Sequence, residues 1–402
     1  MAFGKAKKVR FKQKGQFASV EGKTNKQGIR WTASNVEWMG LKLAGIIDKN
    51  DPVLLHGLNS KIKYVRLVRR LLNQKTFWFA QLVCEGEPYQ KPKNLISDGL
   101  VGIDLGVSTV AIVGDNQTIW QPFTVELNSK QKKIRKLQRN MDRQRRANNP
   151  GNFNPNGTVK KGSKRWNKSN RYQKTAIKKR EIERKQAAHR KSLHGRLVNQ
   201  TLTLGKHIKT EKVSVKAWQK NYGKSIGFKS PASFQSELVR KAESAGGTVL
   251  MFSTRKTALS QTCLCGNKHK KSLSQRVHHC SVCRLRMQRD ILSAYLSRYV
   301  DPKKETLSIQ SAKHGWLGME QSLLHGWHNG SAVGVLAVPV ESELPNPEGS
   351  NQSARTKASP KSPTIGGTEL MCSNPIARQE SEPVTVNETY AVSWNPPDLS
   401  VG

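Results

Sequence analysis

The chain has 402 residues, a mass of 45.0 kDa and a formal net charge of +41, with a sequence pI near 10.3. A charge of that size needs a polyanionic partner, so an ordinary enzyme of small acids is excluded and nucleic acid is the first partner to consider. The length accommodates two or three domains, no apolar run is long enough to span a membrane, and six cysteines in 402 residues do not make a disulfide scaffold, which fits a reducing cytosol. The basic N-terminus, Met1 to Phe17, lacks the apolar core of a secretory signal.

In chain order, residues 7–100 read as β-rich. KVRFKQK, GIRWTA, NVEWMGLKL, KIKYVRLVRR and TFWFAQLVCEG alternate or run in Val, Ile, Phe, Trp, Tyr and Leu between Gly, Asn and Lys turns, which predicts a small barrel or sandwich. Its Lys- and Arg-bearing faces suit phosphate contact and an ordinary solvated sheet face equally. The run around residues 100–114, GLVGIDLGVSTVAIVGD, reads as strand, turn and strand, with Asp104 as the one acid inside the apolar stretch.

Residues 126–148 and 171–204 read as two helices joined by the Asn- and Gly-rich loop NNPGNFNPNGTVKKG. Between Lys130 and Gln200 there are 24 Lys and Arg against three acids, about half the net charge of the chain. Charge segregated on a long hairpin suits a phosphate backbone. Lys132, Lys133, Arg135, Arg139, Arg143, Arg145 and Arg146 are its candidate nucleic-acid contacts. Residues 207–216 read as a strand, 231–246 as a helix, 248–253 as a strand and 287–299 as a helix. The tail from Glu341 holds 4 basic and 8 acidic residues and 8 of the 17 prolines, and reads as disordered.

Cys263-x-Cys265, 14 residues, then Cys280-x-x-Cys283 has the spacing of a tetrahedral zinc site with four thiolate ligands and no open position, a structural ribbon. His269, His278 and His279 are nearby substitutes should Cys263 not reach. Cys84 and Cys372 are lone. Three acids stand out elsewhere: Asp104 in its apolar strand, Glu211 in a later strand and Asp290 at a helix start. Singly, Asp104 fits a turn cap, Glu211 a surface pair with Lys212, and Asp290 a helix N-cap. Together, converging on one spot, they fit a set of hard oxygen ligands for two Mg²⁺ ions acting on a phosphodiester. Two decoys fail. Gly223-Lys224-Ser225 ends like a P-loop, but Trp218 stands where the first Gly belongs. GIDLGVST looks like the first phosphate hairpin of actin-type ATPases, but no second Gly-rich hairpin follows.

The order GIDLGVSTVAIVG, basic helices, EKVSVKAWQK, then LSQTCLCG through HHCSVCRLRMQRDILSAYL resembles the RuvC-type nuclease of TnpB proteins. These are the OrfB proteins of bacterial insertion sequences, related to type V CRISPR effectors. The match runs from about residue 7 to 300. The resemblance implies an α/β, RNase H-like (RuvC) nuclease domain over 100–312, with a basic helical hairpin at 130–200 and an inserted zinc ribbon at 261–286. A β-rich wedge-like domain at 1–99 would precede it and a disordered tail at 313–402 follow.

It implies an RNA-guided DNA endonuclease of a transposable element, with Asp104, Glu211 and Asp290 as the catalytic acids, Mg²⁺ as catalytic ion and Zn²⁺ as structural ion. The partners would be a guide RNA from the transposon end and double- and single-stranded target DNA, in the cytoplasm at the nucleoid. Trp218 and Arg289 join the candidate nucleic-acid contacts; Tyr222, Phe228 and Phe234 interleave with lysines around Trp218. The chain departs from the family in three places: the stretch before Asp104 is short, with no visible helical recognition insert; Cys-x-Cys opens the ribbon and Arg284 stands where a Gly is expected; and Gln288 stands where many relatives have Asp. The short N-terminus favours an alternative, a catalytically silent or truncated RNA-guided DNA-binding protein or repressor.

Overall fold

The computed structural model describes residues 17–73, 75–212, 214–272, 274–332 and the backbone of 389–394. The KVRFKQK segment lies outside the described residues.

The N-terminal third is a small two-sheet sandwich. One sheet is a meander of β2 (Arg30–Thr32), β3 (Asn35–Trp38) and β4 (Leu41–Ala44), preceded in the chain by β1 (Ser19–Glu21). Its two-residue turns, Ala33–Ser34 and Met39–Gly40, have positive φ throughout, the geometry that matches strand twist in tight hairpins. This splits the expected NVEWMGLKL strand into a hairpin. The other sheet has the order β1, β5 (Lys61–Leu72), β6 (Lys75–Glu85), with the distant β14 (Thr389–Trp394) antiparallel on β6. Between the sheets in sequence, α1 (Pro52–Leu58) opens with Pro52 in its first turn and the Asp51 carboxylate accepting from the Val53 amide at 2.9 Å. Trp31 and Val36 from one sheet, Val65, Leu67, Ala80 and Leu82 from the other, and Leu54 from α1 share one buried core.

The next part is a five-stranded mixed sheet between two helical layers. Its order is β11 (Thr248–Phe252), β10 (His207–Glu211), β7 (Leu100–Leu105), β8 (Thr109–Val113), β9 (Thr118–Pro122). β7, β8 and β9 form an antiparallel meander, while β10 and β11 run parallel to β7. Alternation sorts the side chains by face. Val101, Ile103, Leu105, Val110, Ile112 and Ile208 pack against Leu197, Val198 and Leu202 of α3 (Asn170–Leu204) and Phe234, Leu238 and Ala242 of α5 (Pro231–Ser244). On the other face, Ala111, Val113, Trp120 and Phe252 meet α7 (Arg289–Ser297) and α8 (Ile309–Ala332). The remaining helices are α2 (Gln131–Ala147), α4 (Val215–Lys229) and the short α6 (Thr254–Thr257). A small antiparallel pair, β12 (Val277–His279) and β13 (Arg286–Gln288), leads straight into α7.

α2 and α3 form the expected hairpin, and its loop is a built structure. The Asn149 side chain donates to the carbonyls of Arg145 and Asn167 and accepts from the Asn167 amide at 2.7 Å.

Two expectations are corrected. The strand expected over 207–216 ends at Glu211, and Val215 already begins α4, kinked at Tyr222. A disordered tail does not begin at 313. α8 runs across that boundary, burying Ala312, Trp316, Met319 and Leu323 against β9 and α7, because these residues recur at helical spacing on one face. β14 adds a second ordered piece. Among the described residues no helix is long and apolar enough to cross a membrane.

Candidate active site and metal centre

The parity of β7 places Asp104 on the same face as Gly102, opposite to Val101, Ile103 and Leu105. The parallel neighbour β10 pairs Thr210 with Ile103, so Glu211 ends its strand beside Asp104. Lys209 and Glu211 share the face toward α7, and Lys209 reaches across it: its Nζ donates to the carbonyls of Arg298 and Val300 at 2.8 Å each, tying the end of α7 to β10. Gly102 completes the docking. A Cβ there would overlap the Ala294 carbonyl and the Ser297 hydroxyl. Thus the start of α7 is brought over the carboxyl ends of β7 and β10, where open α/β sheets place their ligands.

Asp290 sits in the first turn of α7, 8% exposed. Thr109 at the head of β8 donates its hydroxyl to Asp290 Oδ2 at 2.9 Å, and Arg289 Nε lies 3.6 Å from Oδ1. Burial pushes the Asp104 carboxyl well above the usual range, and the Asp290 and Glu211 charges push it further, with Arg289 and Arg276 opposing. Burial pushes Glu211 up to about 7. Three sequence-distant acids therefore meet as one site, with the Asp104 carboxyl feeling the charge of the other two. This donor set fits a hard divalent cation: its carboxylate oxygens are ligands of the right kind, and burial that disfavours the bare charge of Asp104 and Glu211 is what a bound cation would offset.

The N-cap of α7 is Gln288, whose Oε1 accepts from the Ile291 amide at 2.8 Å. Gln288, which stands where the resemblance led to an Asp being expected, thus serves the helix start that carries Asp290, and Asp290 is not itself the cap.

The four cysteines close into a cluster. Their sulfurs all lie within 4.8 Å of one another, with Cys263–Cys283 at 3.5 Å and Cys265–Cys280 at 3.6 Å. Zn–S bonds of about 2.3 Å in a tetrahedron separate sulfurs by about 3.8 Å, so the set fits zinc. Among the described residues this is the group of metal-competent side chains drawn that tightly. Backbone amides of Cys283 and Val282 pull the Cys280 thiol down to about 6, whereas burial pushes Cys263 up. The histidines are not needed as substitutes: His269 and His279 are exposed, and buried His278 contacts Lys271. Arg284 adopts φ +58, the conformation a glycine would take at no cost.

The candidate nucleic-acid contacts divide. Lys132, Lys133, Arg135, Arg139 and Arg143 lie exposed along α2. Arg145 and Arg146 are both engaged. They bracket Asp142 at 2.7 and 2.8 Å, Arg145 lies 5.2 Å over Trp166, and Arg146 lies 4.8 Å over Phe153 and donates to the Gly157 carbonyl. They fasten the hairpin loop. Arg289, expected at a nucleic-acid surface, is 9% exposed and donates to the Ser272 carbonyl, so its environment is internal. Trp218 and Phe228 are half-buried on α4, Tyr222 is exposed, and Phe234 is fully buried between Phe123 and His194. Sequence reasoning missed Thr109, Gly102 and Lys209. Only Gly102 left a signal, a glycine inside an otherwise Val/Ile strand.

Comparison with known proteins gives three findings. No curated protein matches the chain. Two solved structures are similar: a Cas12f1–sgRNA–target DNA complex (18% identity, TM-score 0.39, covering 62% of this chain and 47% of that one) and a CRISPR-Cas12f ternary complex (17%, 0.31, 61% and 46%). The chain therefore spans under half the length of the solved chains it matches. Residues 232–296, from α5 through the cysteine cluster to the Asp290 helix, match the family model of the Cas12f1-like TNB domain.

Proposed function

We propose that this chain is an RNA-guided DNA endonuclease of the TnpB kind, encoded by a transposable element, that hydrolyses phosphodiesters at Asp104, Glu211 and Asp290. The observation that carries the reading is the meeting of these three acids at the carboxyl ends of β7 and β10 under the first turn of α7. The Cas12f1-like TNB match over the adjoining segment supports it, as does the +41 charge.

In this reading Asp104, Glu211 and Asp290 would hold two Mg²⁺ ions, which would supply an activated water and stabilisation of the leaving 3′ oxygen. The chain's own part is to fix three carboxylates beside one another at the strand ends under α7. The cysteine ribbon holds structural zinc. The wedge-like sandwich grips the RNA. Lys132, Lys133, Arg135, Arg139 and Arg143 track phosphates along the hairpin, and Trp218 stacks on single-stranded DNA.

The test is co-purification of the full chain, expressed with its downstream genomic flank, in 200 mM salt, followed by sequencing of bound RNA and incubation of the complex with DNA matched to it. One discrete RNA and Mg²⁺-dependent cutting of matched DNA are expected. Heterogeneous RNA, or a discrete RNA with no cutting, contradicts the reading; the second result makes the chain a guided binder.

A further inference from the structure

We propose that Thr109 and Arg289 are positioning residues for Asp290, and that through Arg289 the cysteine ribbon is a structural part of the acid site. The inference rests on the metal-site reading above.

Asp290 enters from a helix, whereas Asp104 and Glu211 are fixed by a shared strand register. Its carboxylate needs orienting by other means, and each oxygen has one partner. Thr109 donates to Oδ2 from the head of β8, held by the turn in which the Gly106 amide bonds the Thr109 carbonyl at 2.9 Å. Arg289 faces Oδ1.

Arg289 is itself anchored twice, and both anchors lie in the segment between Cys265 and Cys280. Its Nη1 donates to the Ser272 carbonyl at 3.0 Å and its backbone amide to the Arg276 carbonyl at 2.8 Å. Closure of the four thiolates fixes the ends of that segment, the segment fixes Arg289, and Arg289 fixes the third acid. A guanidinium suits the task because its fork can hold a carbonyl with one arm and face a carboxylate with another. It also offsets part of the repulsion among the three acids, since Arg289 and Arg276 pull Asp104 down where Asp290 and Glu211 push it up. Partners of this kind around metal ligands are worth about 10- to 100-fold in metal affinity.

The experiment is Mn²⁺ binding to the full-length chain, followed by electron paramagnetic resonance of free Mn²⁺, with zinc content and circular dichroism measured alongside. Wild type is compared with Asp104→Asn, Thr109→Val, Thr109→Ser and Arg289→Gln. Thr109→Val, which keeps the side-chain shape, is expected to weaken binding about 10- to 100-fold while retaining zinc and fold, and Thr109→Ser to restore it. Arg289→Gln is expected to weaken binding similarly. Extracting zinc should weaken wild type and leave Arg289→Gln where it was, because the coupling runs through that side chain.

Wild-type affinity in both Thr109→Val and Arg289→Gln overturns the proposal, as does zinc extraction that weakens wild type and Arg289→Gln equally. If wild type and Asp104→Asn bind Mn²⁺ alike, the acid-site reading itself falls, which separates the two failures.

Discussion

Gly102 and Ala294 touch: the backbone carbonyl of α7 occupies the space a side chain at Gly102 would need. Strand and helix approach this closely one turn from Asp290 and two residues from Asp104, so the contact sets the distance between the first and third acids.

Gly102→Ala therefore forces α7 away from the sheet. The expected loss is about 1–3 kcal/mol, the usual cost of overpacking, read as a fall in the denaturant midpoint. Gly227→Ala on α4, where a Cβ meets nothing within 4 Å, is the contrasting case and should gain about 0.5–1 kcal/mol from helix propensity.

Burial holds His194 neutral, its pKa pulled down to about 4, while its ring stacks on Phe123 and its Nε2 bonds the Lys229 carbonyl at 2.9 Å. The folded pKa lies below the unfolded 6.5, so the unfolded chain takes up the proton first. This contribution is whole above pH 6.5 and fades as the pH falls from 6.5 through 4, by about 3 kcal/mol in all. Denaturation curves at pH 7 and pH 4.5 should show His194→Phe to be less stable at pH 7 but to lose less than wild type on acidification. Equal losses would place the acid sensitivity elsewhere.

Burial pushes Glu211 up to about 7 and raises Asp104 well above the usual carboxylate range, so both hold protons more tightly than free carboxylates do and a cation competes with those protons. Divalent-ion affinity should therefore rise between pH 6 and 8, with proton release on binding. Calorimetry in two buffers of different ionisation enthalpy measures the released protons directly. Affinity flat across that range would mean the acids are already ionised in the free protein.

Arg284 pays for a left-handed backbone that glycine adopts freely. Arg284→Gly should stabilise the zinc-loaded ribbon by about 1 kcal/mol, seen as slower release of zinc to a chelator. Unchanged release would show that the Arg284 side chain compensates for its backbone.

Ending the chain at residue 312 removes Trp316, Met319 and Leu323 from the core under β9. Loss of Trp316 alone should cost about 3–5 kcal/mol, so the truncated chain is expected to be insoluble or unfolded by circular dichroism. A chain ending at 332 keeps α8 whole.

That last case shows where the sequence misled. Residues 309–332 have buried residues at helical spacing, interspersed with Gly315, Gly318, Gly326 and Gly330, which weaken the local helical preference. In the fold, three of them are where the helix presses on its neighbours: a Cβ at Gly315 would overlap Tyr299, at Gly326 Thr118, and at Gly330 Trp120. The apolar alternation of β7 and β8 and the charge-rich periodicity of α2 and α3 were legible because local pattern alone determines them. The three acids were legible as residues of suitable type; strand register brings Asp104 and Glu211 together, whereas the docking of α7 that adds Asp290 is not written in any local pattern. The pairing of Arg145 and Arg146 with Asp142, Phe153 and Trp166 was not, because a charge count cannot tell a solvated arginine from one stacked on a loop. Thr109 was unreadable for a similar reason, since its partner lies 181 residues away.

The most direct test of the acid site is cleavage of matched DNA in Mg²⁺ by the RNA-loaded wild type beside Asp104→Asn, Glu211→Gln and Asp290→Asn, with bound RNA quantified in each. The predicted result is cutting by wild type alone, with RNA retained in all four proteins. Cutting that survives the three substitutions would contradict the assignment and place the chemistry elsewhere in the chain.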